Sequence, residues 1–173
     1  TGRGLLAFSP AHVAAFVRSR AGLECPDLQF VFTPASYSAG VVGQLQPFPG
    51  MTIGVWQMRP ESRGFVRART ADPEDAPGIQ PNYLSTVADQ RAIVDGLRWC
   101  RRFLATDALR PYCGPETVPG RDVTTDEELL DYAREYGATV YHAVSTCRMG
   151  QDPQAVVSFD LKVHGMAGLR VVD

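Results

Sequence analysis

Residues 141–150, near the C-terminal end of the chain, bring together side chains that could do chemistry. Their sequence, YHAVSTCRMG, contains an imidazole, two aliphatic hydroxyls, a thiol, a guanidinium and a thioether. An imidazole ordinarily titrates near pH 6.5, so it can accept or donate a proton at neutral pH. The apolar residues show neither helical spacing nor a simple alternation. We therefore interpret the segment as irregular backbone. From the residues alone a lone histidine is more often structural, and presentation of His142 for proton transfer is the alternative.

Two ordered motifs indicate what that chemistry is. Residues 141–150 resemble the Tyr-His-Pro-Val-Gly-Thr-Cys-Arg-Met-Gly segment of the glucose-methanol-choline (GMC) family of FAD-dependent alcohol oxidoreductases. Residues 163–173, VHGMAGLRVVD, are similar to that family's Val-His-Gly-Val-x-Gly-Leu-Arg-Val-Val-Asp. The likeness continues upstream through RPESRG, ADP and IQPNYL at residues 59–64, 71–73 and 79–84. It is greatest to the choline-dehydrogenase-like branch, and it covers most of the chain as the C-terminal part of such a protein.

The resemblance implies oxidation of a primary alcohol to an aldehyde. No amino-acid side chain accepts a hydride, so the family uses FAD for that step. His142 is implied to be the catalytic base or hydrogen-bond partner of the substrate hydroxyl. Thr146 and Asp173 are implied to contact FAD. Tyr141 and Trp56 are expected to bind the substrate, with packing in a core as the alternative for both.

The segment departs from the family's pattern at two positions. Ala143 stands where proline is usual, and Ser145 stands where glycine is usual. Proline fixes φ near -65°, so Ala143 loosens the backbone beside His142. If position 145 requires a positive φ, Ser145 is strained there.

The resemblance also bears on what the chain can do alone. The family's FAD-binding fingerprint lies upstream of the matching region, and its second catalytic residue, a His or Asn, lies downstream. GRGLLA at residues 2–7 fits the dinucleotide pattern G-x-G-x-x-A, but no strand precedes it, so we interpret it as a lead-in. We expect residues 1–173 to be one domain that lacks the FAD-binding part. The FAD-binding domain of the same parent chain is then the expected partner of this domain. Alone, this domain should bind FAD weakly or not at all and show no turnover.

Composition argues against several other classes of protein. The chain has 173 residues, of which 45% are hydrophobic and 21% charged, as is typical of a globular domain. Its formal net charge of -2 argues against nucleic acid as the main partner. No apolar run reaches the roughly 18 residues that span a bilayer, and we expect a bacterial cytoplasmic protein. The three histidines are too scattered for a metal site, and four cysteines without a Cys-x-x-Cys pair are expected to be reduced.

Periodicity predicts an α+β fold, with an antiparallel sheet backed by helices. Strands are expected at residues 27–33, 51–58 and 65–70, as neighbours in one sheet, with Val66 facing inward. One helix is expected to start at Ser9 and end at Gly22. A long helix is expected to be capped at residues 86–89. A third is expected to open with a Thr124–Glu127 capping box and close at Gly137. Residues 72–81 are expected to be a turn-rich connection.

Two other functions fit parts of the sequence. A hydrolase could use Ser145 or Ser158 with a histidine, but no G-x-S-x-G elbow is present. A non-catalytic small-molecule-binding or interaction module could keep the same fold. The presence of His142 beside Thr-Cys-Arg-Met-Gly argues against such a module, since a scaffold needs none of these residues.

Overall fold

The structure is a computed structural model, and the residues it describes are Ser9, 11–38 and 44–172. The chain divides into two compact units. The first comprises Thr1–Arg63 and Asn82–Ala138, and the second Gly64–Pro81 and Thr139–Asp173. Antiparallel strands and two α-helices make the fold α+β, which confirms the predicted class. That residues 1–173 act as one domain stays a prediction.

Three antiparallel strands form the sheet of the first unit, in the order β1-β2-β3. They are β1 (Val13–Val17), β2 (Leu28–Thr33) and β3 (Thr52–Gln57). In β2, Leu28 and Phe30 are buried while the residue after each is partly exposed, which is the alternation that the sequence predicts. The strands predicted near residues 27–33 and 51–58 are therefore confirmed.

The helix predicted to start at Ser9 is wrong, because this stretch forms β1. Val13, Phe16 and Val17 have helical spacing, but the backbone pairs with β2 along the whole strand. The Ser9 hydroxyl accepts a hydrogen bond from the Ala11 amide at 3.3 Å, which is a local turn and not a helix cap. Pairing with a neighbouring strand satisfies the backbone of a segment rich in valine, so tertiary structure overrides the spacing.

A long helix, α1 (Val87–Leu104), packs against the sheet. Thr86 caps it by accepting a hydrogen bond from the Asp89 amide at 3.2 Å, as predicted. Gly96 allows close packing, because a Cβ at this position would stand 2.7 Å from Val55 Cγ2. The core joins the helix to the sheet through Leu28, Phe30 and Ala92, surrounded by Ala15, Val17, Ile53, Val55, Trp99, Cys100 and Phe103.

The second helix, α2 (Asp126–Tyr136), packs against α1 and begins with a capping box. The Thr125 hydroxyl accepts the Glu128 amide at 3.2 Å, and the Glu128 carboxylate accepts the Thr125 amide at 2.9 Å. The predicted pair, Thr124 and Glu127, lies one residue too early. Both sets match the pattern in sequence, and only the second set makes the reciprocal bonds.

An ion pair ties the connection before α2 to helix α1. Arg101 Nη2 donates to Glu116 Oε1 at 2.8 Å and to the Gly120 carbonyl at 2.9 Å. Arg101 Nε lies 3.1 and 3.2 Å from the two carboxylate oxygens. The Arg101 and Glu116 side chains are only 28% and 22% exposed. Solvent therefore screens this pair less than it screens a surface pair.

A buried carboxylate links the first turn of α1 to the turn that follows β3. Asp89 is 1% exposed and accepts the amides of Glu61 and Ser62 at 2.8 Å each. Gln57 Nε2 donates to it at 2.6 Å, and the Ser62 hydroxyl donates as well. Burial opposes the negative charge, but the hydrogen bonds outweigh it and lower the pKa of Asp89 to about 2. Asp89 thus holds residues 61–62 against the helix.

The second unit contains a β-hairpin of β4 (Phe65–Arg67) and β5 (Gly78–Gln80). The prediction that residues 65–70 join the main sheet is wrong, because β4 pairs with β5 in a two-stranded sheet of its own. A turn in which the Asp75 amide donates to the Asp72 carbonyl at 3.2 Å begins the return of the chain toward β4. All three residues of β4 are exposed, so Val66 does not face inward as expected.

The four cysteines form no disulfide, which agrees with the expectation of reduced thiols. Cys25 is exposed and the others are partly buried. Burial raises the pKa of the Cys100 thiol to about 12, so this thiol is unreactive at neutral pH. Within the described residues, no helix has the length and apolar character needed to cross a membrane. The cytoplasmic location stays a prediction.

Candidate functional site

The segment from Thr139 to Arg148 has no regular secondary structure. The Tyr141 amide donates to the Thr139 hydroxyl at 3.0 Å. Tyr141 and Ser145 both have positive φ, at 61° and 72°. This conformation is unfavourable for residues other than glycine, so the expected strain at Ser145 is confirmed. Two strained residues therefore bracket residues 142–144 and set the direction of that stretch.

His142 lies between these two residues, and its side chain is exposed. Its neighbours are exposed as well, Tyr141 at 81% and Val144 at 74%. No hydrogen bond or ion pair joins the His142 ring to another of the residues that the structure describes. Both ring nitrogens are therefore available to an external donor or acceptor.

The Thr-Cys-Arg-Met-Gly run after His142 folds back as a turn. Thr146, at its start, is exposed. Arg148 Nη1 donates to Asp152 Oδ2 at 2.8 Å, and this bond, with the Gln154 amide, lowers the pKa of Asp152 to about 2. The Arg148 carbonyl also accepts the Val156 amide at 3.0 Å. Arg148 is thus committed to structure and does not point a free charge at a ligand.

The second histidine of this unit is bonded to the same turn. His164 Nε2 lies 2.9 Å from the Gly150 carbonyl oxygen. The His164 amide donates to the Val156 carbonyl at 3.0 Å, and the Gly150 amide donates to the Val157 carbonyl at 2.9 Å. The ring of His164 is therefore bonded to Gly150, and its backbone amide is bonded to Val156.

A cleft of about 160 Å³ lies beside this turn, within the second unit. One wall is the stretch after His142, and the other comes from the chain beyond Val156. The lining residues are Ala143, Val144, Ser145, Cys147, Arg148, Met149, Val157, Leu161 and Val171. Apart from Ser145, Cys147 and Arg148 these side chains are apolar. The stretch after His142 and the stretch beyond Val156 thus line one cleft.

Comparison with known proteins identifies the family of the sequence. A model of the family described as "GMC oxidoreductase" matches residues 60–173, which include both histidine-containing segments. The chain belongs to the GMC oxidoreductase family.

Relatives of this GMC chain are oxidoreductases by name. It is 38% identical over 172 residues to an oxygen-dependent choline dehydrogenase of Pseudomonas putida (strain GB-1), and equally similar to that of Chromohalobacter salexigens. The match covers 99% of the chain and about 30% of these relatives. The chain therefore spans less than a third of the length of the proteins that it matches.

Solved structures show the same fold. Pyridoxine 4-oxidase from Mesorbium loti superposes with a TM-score of 0.83 at 26% identity, covering 95% of the chain and 32% of that protein. Formate oxidase from Aspergillus oryzae RIB40, studied for modification of its FAD, gives a TM-score of 0.77 at 27% identity over 87% of the chain and 27% of that protein. These likenesses confirm the predicted family and the α+β fold.

The five predicted site residues of the GMC chain fall in three places. Tyr141, His142 and Thr146 lie together in one exposed stretch of the second unit. Trp56 belongs to β3 in the first unit, where it is partly buried on the sheet face opposite α1. Asp173 lies outside the described residues, as does the GRGLLA lead-in at residues 2–7.

Trp56 occupies a specific place on that sheet face. Its ring lies back over Gly54, where a Cβ would stand 3.2 Å from Trp56 Cη2. In the register, Trp56 is opposite Gln29, which is opposite Phe16. Trp56 is therefore not part of the core between the sheet and α1. If it has a packing role, its contacts lie on the other face of the sheet.

The exposed stretch of the second unit fits one side of an aromatic, hydrogen-bonding group such as a flavin ring. It combines the unpaired imidazole of His142, the exposed Thr146 and the apolar side chain of Val144. Among the described residues, no group of three or more His, Cys, Asp or Glu side chains could hold a metal ion. The groups available for chemistry here are those of proton transfer and hydrogen bonding.

His164 had no role in the sequence-based prediction, although its motif was recognised. Its bond to Gly150 joins residues fourteen positions apart across a turn, and no periodicity signals such a contact. The one signal available was the presence of two histidine-containing motifs at a fixed order and distance. That pattern indicates neighbouring segments but not which atoms meet.

Proposed function

We propose that this chain is the substrate-binding part of an FAD-dependent oxidoreductase that converts a primary alcohol to an aldehyde. The observation that carries the proposal is the exposed imidazole of His142, which has no hydrogen-bond partner among the described residues and lies in the family's Tyr-His motif. The names of the relatives support an alcohol as the substrate.

The chemistry follows from the groups that the chain provides. Oxidation of an alcohol to an aldehyde removes the hydroxyl proton and a hydride from the same carbon atom. Bound FAD supplies the acceptor for the hydride. His142 accepts the hydroxyl proton, or a hydrogen bond from the hydroxyl, through a ring nitrogen that no described residue occupies. The His142 side chain is exposed, so a substrate can reach the ring.

Other contacts are proposed from their positions in the family's motifs. Thr146 is exposed four residues after His142, and we assign it to hydrogen bonding with FAD. Asp173 is assigned to the same cofactor. Tyr141 and Trp56 are assigned to the substrate, because both present aromatic surface on which an alkyl or cationic group can pack.

The remaining part of the enzyme is proposed to carry the dinucleotide site and to dock on this chain. The curated relatives are about three times as long as the matching region, which leaves room for such a domain. The 173-residue chain alone is then expected to bind FAD weakly or not at all and to show no turnover. A flavin absorbance spectrum that co-purified with this chain alone would contradict that expectation.

The test uses the whole FAD-loaded protein with choline, pyridoxine and 1-butanol as alcohols and an artificial electron acceptor. His142→Ala is expected to lower kcat for the best of these alcohols by about 100-fold or more while the flavin spectrum is retained. His12→Gln, which removes an exposed histidine of the first unit, is the control and should retain activity.

Two results would speak against the proposal. If His142→Ala retained activity within a few-fold of the native protein, His142 would not be the base. If none of the alcohols was oxidised although FAD was bound, a non-catalytic binding module would be the better reading. In a plot of kcat/KM against pH, the fall in kcat/KM at low pH is the acidic limb. Its loss in His142→Gln would add direct support.

A further inference from the structure

We propose that His164 is a positioning residue for the segment that carries His142. The proposal rests on the proposed function, in which His142 moves the substrate proton. His164 would act by clamping the Gly150 turn, and it would touch neither the alcohol nor the cofactor. The two histidines of the second unit would thus have separate tasks.

The clamp is defined by hydrogen bonds on both sides of His164. The ring reaches the Gly150 carbonyl at 2.9 Å. The His164 backbone amide reaches the Val156 carbonyl at 3.0 Å, and the Val156 amide reaches the Arg148 carbonyl at 3.0 Å. Residues 148–150 are therefore bonded to residues 156–157 directly and to His164 through its side chain.

The partner of the ring fixes which nitrogen carries the proton. A backbone carbonyl can only accept a hydrogen bond, so His164 Nε2 must carry hydrogen and donate. This holds for the neutral ring in its Nε2-H form and for the charged ring alike. Nε2 is therefore unavailable as a base. His142 has no such partner among the described residues.

The conformation around His164 presents its ring to the turn. Residues 162 and 170 form an antiparallel bridge, and the Val163 amide donates to the Leu169 carbonyl at 3.1 Å. Gly165 and Gly168, between them, both have φ of 76°, which only glycine adopts readily. His164 therefore follows directly after the paired residues 162 and 163, so backbone pairing fixes its position at the start of this short loop.

The cleft shows how a clamp at Gly150 reaches His142. Most residues after His142, namely residues 143–145 and 147–149, line the same cleft as Val157, Leu161 and Val171. Ser145 keeps a left-handed backbone conformation within that wall. A strained residue persists only where its surroundings hold it. Loss of the His164 bond would free the end of this wall and let residues 142–145 relax.

The experiment compares two substitutions at one position in the whole FAD-loaded protein. His164→Phe keeps a planar ring of similar size but removes the donor. His164→Gln keeps an N–H donor at similar reach and cannot titrate. Lys162→Gln, an exposed residue two positions earlier, is the matched control. The first readout is hydrogen–deuterium exchange of the peptide covering residues 148–157, which needs no substrate.

We expect His164→Phe to speed amide exchange in residues 148–157 and to lower the rate of flavin reduction by choline, pyridoxine or 1-butanol on the order of tenfold. His164→Gln should restore most of both, and Lys162→Gln should change neither. The acidic limb of the kcat/KM profile should remain in both His164 variants, because His142 gives rise to it.

Three outcomes would overturn the proposal. One is native exchange and native rates in His164→Phe. Another is a His164→Gln variant as impaired as His164→Phe, since the donor would then be irrelevant. The third is loss of the acidic limb in His164→Gln, which would make His164 the titrating base. If instead His142→Ala were fully active, the proposed function would fail while the exchange data still decided whether His164 is a clamp.

Discussion

Asp89→Asn is expected to destabilise the first unit through loss of a buried, multiply bonded charge. The carboxylate accepts four hydrogen bonds, from Gln57 Nε2, the Glu61 amide, and the amide and hydroxyl of Ser62. An Asn amide would turn an NH2 group toward some of these donors and leave a backbone amide without an acceptor. We expect the free energy of unfolding to fall by roughly 2–4 kcal/mol at pH 7.

The dependence of folding stability on pH tests the role of Asp89 independently. The pKa of Asp89 falls from 3.8 in the unfolded chain to about 2 in the folded protein. A lowered pKa stabilises the fold above the unfolded value, and this stabilisation is lost as the pH falls through the folded value. A shift of nearly two units corresponds to ~2 kcal/mol, of which about half remains at pH 3.

The measurement is urea denaturation followed by circular dichroism between pH 7 and pH 2.5, on the native protein and two variants. Asp107→Asn removes a carboxylate that is 93% exposed and serves as the control for net charge. The gap between the native protein and Asp89→Asn should narrow as the pH falls below 4. A gap at pH 7 no larger than that of Asp107→Asn would refute the reasoning, and so would a gap that did not change with pH.

Three further changes test packing, charge and backbone strain, each by the shift in thermal unfolding. Gly96→Val should destabilise by about 1–3 kcal/mol, because its Cβ would collide with the stiff Val55 side chain, whereas little change would show that α1 can move away. Glu116→Gln should cost about 1–3 kcal/mol, because Arg101 would lose its charged partner in a partly buried site, and an unchanged midpoint would contradict this. Ser145→Gly should stabilise by roughly 0.5–1 kcal/mol through relief of positive φ, and a lower midpoint would argue that the strain is not there.

The helices could be predicted from the sequence because their ends carry local signals. Thr86 caps α1, and in the sequence this threonine precedes an acidic residue and an apolar stripe. The cap can be recognised because it involves only residues within four positions of each other. At α2 two adjacent threonines matched the same pattern, so the sequence located the end only to within one residue. Local chemistry thus fixed the existence of each helix and left its exact start to hydrogen-bond geometry.

The strands β1 and β4 could not be assigned because their partners lie elsewhere in the chain. β1 has the spacing of a helix and becomes a strand through pairing with β2. β4 alternates like a strand of the main sheet, yet it pairs with β5, thirteen residues onward. Asp89 was placed at the start of the helix, but its buried hydrogen bonds could not be predicted for the same reason, since its donors at residues 57–62 are distant in sequence. Long-range pairing leaves no periodic trace in a single sequence.

The candidate site shows the same division between local and long-range information. The motif located His142, and the glycine expected at position 145 indicated a positive φ that the structure confirms for Ser145. The bond between His164 and Gly150 was not predictable, because it depends on how two loops meet. Sequence therefore identified the candidate residue, while the structure shows a contact between loops that sequence could not indicate.

No side-chain contact among the described residues holds the His142 ring, so the path of the backbone is the constraint that the structure places on it. Its backbone lies between two residues in left-handed conformations, each of which would relax if its surroundings allowed it. The downstream surroundings are the cleft wall and the turn fastened by His164. Substitutions that loosen this turn should therefore alter the reactivity of His142 without touching the ring. In the proposed function His142 receives the substrate proton, and no partner among the described residues competes for that ring nitrogen.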